Sequence, residues 1–201
     1  MHHAQPPRTS VDEYLAFEDA SDTKHEFVNG EIVAMSGASI VHNLIAANVT
    51  RALGNALRDR PCVVLTSDQR VHITATDLFA YPDVTVVCGR VERHPKNDRT
   101  LTNPTLVVEV LSDSTEAYDR GAKLLHYQVL PSLQDYVLVS TREKRVDHYH
   151  RESANEWHLT VHTAEDAALG LTGIGAKVAM AEIYEKVDLV AKAGPVVEEL
   201  D

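Results

Sequence analysis

The 201-residue chain has only two cysteines, and no apolar run in it approaches the roughly 18–20 residues that cross a bilayer. So few cysteines exclude a disulfide-dense scaffold, and a chain of this length buries a core without such staples. Cys62 and Cys88 both lie in apolar strand-like runs, a usage that fits a reducing cytoplasm. Residues Met1–Pro7 lack the apolar core of a signal peptide. Gly-rich phosphate loops, Gly-x-Ser-x-Gly elbows and Cys-x-x-Cys pairs are also absent. Positive charge is scarce as well. Nineteen Lys and Arg against thirty Asp and Glu leave a net charge of −11, which argues against a protein that coats nucleic acid non-specifically.

The deficit sits at the ends. Met1–Met35 carries seven acids and two bases, and Ala179–Asp201 six acids and two bases. The middle, Ser36–Val178, has seventeen acids and fifteen bases, eleven of them arginine, the residue better suited to bidentate phosphate contact.

No internal repeat or low-complexity linker interrupts the chain, so a single domain over 1–201 is expected. Ser10 with Glu13 is a capping-box pattern that predicts a helix to about Asp19. Asn29-Gly30 between alternating runs predicts a two-residue hairpin pairing Val28 with Glu31, Phe27 with Ile32 and Glu26 with Val33. Ser39 caps a helix predicted from Ile40 to Asp59, with an inner stripe of Val41, Leu44, Ile45, Asn48, Val49, Ala52 and Ala56. Strands are predicted over Cys62–Thr66, Gln69–Thr74, Asp83–Cys88 and Thr105–Leu111. The last two are nearly continuous apolar runs of the kind found in central strands. Gly89–Pro104 reads as a polar, basic connection carrying Arg90, Arg93, Lys96 and Arg99. A helix over Ser114–Leu130, strands over Asp135–Ser140, Lys144–Arg151 and Glu156–His162, and a short helix over Ala179–Val187 complete an α/β or α+β pattern around a mixed sheet.

Two carboxylates stand in unusual company. Asp83 opens Tyr-Pro-Asp-Val-Thr-Val-Val-Cys, and Glu109 lies inside Leu-Val-Val-Glu-Val-Leu. A carboxylate in an apolar central strand costs several kcal/mol unless a cation or hydrogen bonds compensate it. Two adjacent strands presenting one carboxylate each make an oxygen-rich site suited to Mg²⁺ or Mn²⁺. The plainer alternatives are that Asp83 caps a turn and that Glu109 pairs with a buried arginine. Lys123 lies four residues after Asp119, the spacing of an ordinary helical surface pair. His42 flanks the inner stripe of its helix, as a core histidine would. Glu26 and Glu31 share one face of the hairpin with two valines. His148 and His150 alternate on one strand face, which allows a metal pair, but no third ligand is evident nearby in the sequence.

Lys24-His25-Glu26-Phe27-Val28-Asn29-Gly30-Glu31-Ile32, Gly37-Ala38-Ser39 with His42-Asn43, Tyr81-Pro82-Asp83-Val84, Pro104-Thr105-Leu106-Val107-Val108-Glu109-Val110-Leu111-Ser112 and Tyr118-Asp119-Arg120-Gly121-x-Lys123 together resemble the Uma2 family, restriction-endonuclease-like proteins of the PD-(D/E)xK superfamily. The similarity runs in order from about Val11 to Val187. It implies a restriction-endonuclease-like core over about residues 24–140, a central mixed sheet flanked by helices, an added N-terminal hairpin and C-terminal antiparallel strands. It implies Asp83 and Glu109 as metal-binding acids, joined by Glu26 or Glu31. The superfamily lysine belongs two residues after the second acid, where this chain has Leu111; the resemblance moves that role to Lys123. The expectation is a Mg²⁺- or Mn²⁺-dependent endonuclease. Asp83, Glu109 and the Val110 carbonyl would hold the metal, and Glu26, Glu31 and His42 would complete the site. DNA is the expected substrate of a cytoplasmic homodimer that does not engage membranes. The alternatives are a nuclease acting on RNA and a non-catalytic partner-binding module.

Overall fold

Ser10 opens the first helix as its pattern predicts. Its hydroxyl accepts from the Glu13 amide at 3.3 Å while Glu13 reaches back to the Ser10 amide at 2.7 Å, which starts α1 (Val11–Asp19). Asn29 and Gly30 take φ of 53° and 84°, the left-handed pair that closes the hairpin of β1 (His25–Val28) and β2 (Glu31–Ala34) in the expected register. The Ser39 hydroxyl then caps α2 (Ile40–Ala56) by accepting from the His42 amide at 3.2 Å. These elements belong to a computed structural model that describes residues 8–189.

The remaining elements are β3 (Cys62–Thr66), β4 (Arg70–Ile73), β5 (Leu78–Ala80), β6 (Val84–Cys88), β7 (Arg93–His94), β8 (Asn97–Leu101), β9 (Leu106–Val110), α3 (Glu116–Arg120), α4 (Ala122–Gln128), β10 (Asp135–Val139), β11 (Val146–Arg151), β12 (Trp157–His162), β13 (Ala168–Leu171), β14 (Ala176–Ala179) and α5 (Met180–Ile183). Two mixed six-stranded sheets form the frame. The central one runs β12-β11-β10-β9-β6-β3, with only β9 and β10 parallel; the other runs β2-β1-β5-β4-β8-β7, with only β4 and β8 parallel. Among the described residues no helix is long and apolar enough to cross a membrane.

Both faces of the central sheet are covered, so β9 and β10 are buried along their length and apolar except for Glu109 and Asp135. Val84, Val86, Leu106, Val108, Val137 and Val139 pack with Ile45, Val49 and Leu53 of α2 and with Ile183 of α5. Val87, Val107, Tyr136 and Leu138 pack on the opposite face with Leu124 and Tyr127 of α4 and with Val71, Ile73 and Leu78 of the second sheet. Glu109 alternates with Val108 and Val110 and so faces α4.

Several details depart from the sequence expectations. Residues 114–130 do not form one helix. Gly121, at φ −116° and ψ −101°, separates α3 from α4, and a Cβ there would stand 3.0 Å from the Ala117 carbonyl oxygen. The basic connection 89–104 contains the β7–β8 hairpin, and β13 and β14 form a further hairpin. The N-terminal hairpin is an edge of the second sheet rather than an appendage. In α2 the stripe includes Leu53, while Ala56 is exposed. The expectation that Cys62 and Cys88 are thiols of a reducing compartment is corrected: they face each other across β3 and β6 and are joined by a disulfide, a bond that reducing compartments rarely keep.

Candidate functional site

Four carboxylates, one ammonium and one imidazole meet where β6 begins and β9 ends, against β1, α2 and the α3–α4 break. Val84 pairs with Val108 in the antiparallel ladder, so one rung further Asp83 stands beside Glu109. The Asp83 Oδ2 atom accepts from the Val110 amide at 2.7 Å and lies 3.2 Å from His42 Nε2. His42 sits in the first turn of α2, its ring carried to the sheet end by the Ser39 cap. It therefore faces the site rather than serving as a satisfied core histidine, and its buried Nδ1 has no hydrogen-bond partner.

Lys123 is no surface residue. It is 5% exposed, and its Nζ atom lies 2.9 Å from Glu109 Oε1, 3.0 Å from Glu26 Oε1 and 3.6 Å from Asp119 Oδ1. A plain i,i+4 pair has thus been buried and given two further acids. The break at Gly121 makes this possible, because it lets the last turn of α3 and the first turn of α4 both aim at the end of β9. Asp119, itself 3% exposed, is the site member that sequence reasoning left out. Its only signal there is the spacing to Lys123, which reads alike on a surface and in a core. Glu26 is the hairpin acid the structure brings in. Glu31, near the turn, is exposed and touches none of the other site residues, so it is separated from the site despite sharing a face with Glu26.

Glu18 holds two of these segments together, and no sequence pattern flagged it. Its Oε1 atom accepts from the Tyr81 hydroxyl at 2.7 Å and from the His25 amide at 3.0 Å, while Oε2 lies 3.0 Å from His25 Nδ1. One carboxylate thus anchors the residue before Glu26 and the residue two before Asp83.

The electrostatics are those of an overcrowded acid pocket. Burial pushes the Glu109 carboxyl well above its ordinary range; Lys123 pulls the other way, and Asp119, Asp83 and Glu26 add to the rise. Asp119 is raised for the same leading reason. Burial alone would lower the Lys123 pKa, but Glu109 and Glu26 outweigh it and hold the ammonium charged. At His42 burial is likewise outweighed, by Asp83 and by the backbone of Val110, and the imidazole pKa rises. Glu109 Oε1 is enclosed and receives no hydrogen bond of good geometry; the Lys123 ammonium is its close charged neighbour. Four acids against Lys123 and His42 leave an excess of oxygen donors and negative charge, the donor set of a hard divalent cation.

The arginines of 89–104 are displaced from this cluster. Arg90, Arg93 and Arg99 are exposed and have no carboxylate partner among the described residues, whereas Lys96 pairs with Asp12 at 2.6 Å. Their hairpin lies three strands from β1 across the second sheet, roughly 14 Å at the usual strand spacing. A surface concavity of about 540 Å³ beside it, lined by residues that include Asp19, His94 and Arg99, contains none of the four acids.

Comparison with known proteins identifies the family and the fold. Residues 11–181 match the family described as "Uma2: Putative restriction endonuclease". Two Synechocystis proteins are similar over most of their length. The uncharacterized protein slr1290 is 40% identical over 178 residues, 89% of this chain and 92% of that protein. The uncharacterized protein sll1609 is 35% identical over 157 residues, 78% of this chain and 89% of that protein. Among solved structures, "a putative nuclease belonging to DUF820" from Anabaena variabilis superposes with a TM-score of 0.71 at 17% identity, covering 89% of this chain and 98% of that one. That likeness shows a shared α+β fold, the restriction-endonuclease-like arrangement. With the match spanning most of the chain, the chain belongs to the Uma2 family of restriction-endonuclease-like proteins.

Proposed function

We propose that this protein is a Mg²⁺- or Mn²⁺-dependent endonuclease that hydrolyses phosphodiester bonds of DNA, as a single-domain subunit of a homodimer. The observation that carries the reading is the gathering of Glu109, Glu26 and Asp119 around a single buried ammonium, with Asp83 beside Glu109 on the neighbouring strand. These residues fit a hard cation. Asp83, Glu109 and the Val110 carbonyl are its ligands in this reading, with Glu26 and His42 beside them. A bound ion of this kind lowers the pKa of a coordinated water and neutralises charge on the phosphoryl group.

The protein's own groups then have distinct tasks. Asp83 is oriented by the Val110 amide and by His42, which leaves its other oxygen free to bind. Lys123 keeps its proton because three carboxylates surround it, so it serves as a fixed positive donor towards developing phosphate charge and not as a base. Glu26 and Asp119 hold that ammonium in place. Cutting both strands of a duplex calls for two such sites, which favours a homodimer. The exposed arginines of the β7–β8 region supply phosphate contacts away from the acids.

Incubating the purified chain with supercoiled plasmid, single-stranded DNA or RNA, with and without Mg²⁺ or Mn²⁺, tests the reading. Metal-dependent nicking or linearisation of DNA that vanishes in Asp83→Ala is expected. DNA cleavage that survives Asp83→Ala overturns the assignment. Cleavage of RNA alone moves the substrate to RNA, and inertness towards every substrate favours a partner-binding module.

A further inference from the structure

A second cluster lies on the opposite face of the central sheet, where β10 pairs with β11. Register places Asp135 opposite His150, with Val137 opposite His148, so the three polar side chains share one face. Asp135 Oδ1 lies 2.8 Å from His148 Nε2 and 2.7 Å from His150 Nδ1, and the three ligand atoms lie within 4.8 Å of one another. Asp135 is wholly buried. Its second oxygen, Oδ2, has no hydrogen-bond partner, and no lysine or arginine pairs with the carboxylate among the described residues.

The turn between β13 and β14 closes over this group. A Cβ at Gly173 would stand 2.4 Å from Asp135 Oδ2 and 2.5 Å from Gln134 Cβ, so only glycine lets the turn approach this closely. The Thr172 hydroxyl lies 3.3 Å from His150 Nε2, the ring nitrogen that points away from Asp135. Metal-bound imidazoles typically engage a second partner through that outer nitrogen, which fixes the tautomer. His162 stands beside His148, ring centroids 6.2 Å apart, and its own buried Nε2 has no partner.

We propose that Asp135, His148 and His150 form a binding site for a first-row transition metal, Zn²⁺ foremost, separate from the carboxylate cluster. Two imidazole nitrogens and one carboxylate oxygen converging on one point are the ligands of a borderline-soft divalent ion, which Mg²⁺ does not favour. The alternative, a buried carboxylate neutralised by two imidazole N–H donors, leaves Oδ2 unexplained. It also gives no reason for both rings to compete for the same oxygen. A bound ion would tie the Thr172–Gly175 turn and β11 to the first residue of β10. The fourth position is filled by water or, after a small shift, by His162.

The site is tested by dialysing the full-length protein against Zn²⁺ in the presence of millimolar Mg²⁺, which occupies the carboxylate site, and then measuring retained zinc and melting temperature. A single zinc per chain is expected, with a higher melting temperature. Both are lost in His150→Gln and in His148→Gln, while Glu109→Gln retains them. Replacing zinc by Co²⁺ gives visible absorption bands characteristic of nitrogen ligands, and these are absent in His150→Gln. His150 is partly exposed, so its variant folds even where Asp135→Asn does not. His150→Gln also keeps Mg²⁺-dependent plasmid cleavage at the wild-type rate, so failure here is distinguishable from failure of the nuclease reading. Absence of bound zinc in the wild type, or zinc equally retained in both histidine variants, overturns the proposal.

Discussion

Lys123→Met is expected to abolish cleavage and to destabilise the protein, by about 3–5 kcal/mol, the usual cost of removing one partner from a buried ion pair. The reason is the company Lys123 keeps. Its ammonium is the cation closest to Glu109, Glu26 and Asp119, at 2.9, 3.0 and 3.6 Å. Methionine preserves much of the side-chain volume, so the loss reports charge rather than a cavity. Activity should fall at least about 100–1,000-fold, the penalty typical of deleting one preorganised donor to transition-state charge. Mg²⁺ should restore part of the stability, because it supplies positive charge to the same oxygens, but it should not restore turnover. Denaturant melts with and without Mg²⁺, alongside plasmid cleavage, check both parts. A variant as stable as the wild type would show that the ammonium does not balance these acids.

Glu109→Gln should do nearly the reverse, removing metal binding while leaving the fold intact or firmer. Glutamine keeps the shape of the side chain and deletes the acid most strongly perturbed by burial. Mg²⁺ affinity should drop by at least roughly 10–100-fold, since even residues that merely support a ligand cost that much. Lys123 retains Glu26 and Asp119, so the ammonium is not orphaned.

The pH dependence has a definite sign. A carboxyl whose pKa is raised on folding binds its proton more tightly in the folded state. Its stabilising contribution is complete below its ordinary value and is lost as pH rises through the raised one. For Glu109 and Asp119 those ordinary values are 4.5 and 3.8, and both are raised chiefly by burial. Without divalent metal, the wild type should therefore lose stability as pH climbs from the acidic range towards neutrality. Glu109→Gln should show a shallower decline. Thermal melts across pH, with and without Mg²⁺, check this, and a Mg²⁺-induced rise in melting temperature that persists in Glu109→Gln would count against Glu109 as a ligand.

Local chemistry made parts of this molecule readable in advance. Asn29-Gly30 determines the hairpin register because its turn admits few conformations, and Ser10 with Glu13 starts α1 through two local hydrogen bonds. Asp83 and Glu109 stood out because ionised side chains are costly in apolar central strands. The missed features depend on contacts distant in sequence. The strand Leu78–Ala80 is three residues long and lies in no periodic pattern. The β7–β8 hairpin is polar on both strands at a sheet edge, so alternation carries no signal. Choosing Glu26 over Glu31 requires knowing which end of the hairpin meets α4. Asp119 and Lys123 keep the same spacing whether solvated or enclosed, and the break at Gly121 decides between those outcomes. Asp135 becomes a partner of His148 and His150 only once the β10–β11 register is known.

The charge pattern fits the same picture. Acidic ends and a nearly balanced, arginine-containing middle argue against a protein that coats DNA and are compatible with the proposed contact through a cation. Anomalous scattering from Mn²⁺-soaked crystals of the full-length chain addresses that cation most directly. A manganese peak beside the Asp83 and Glu109 carboxylates and the Val110 carbonyl, lost in Glu109→Gln crystals, is the expected result. Manganese bound elsewhere with this cluster empty, or a peak unchanged by Glu109→Gln, would contradict it.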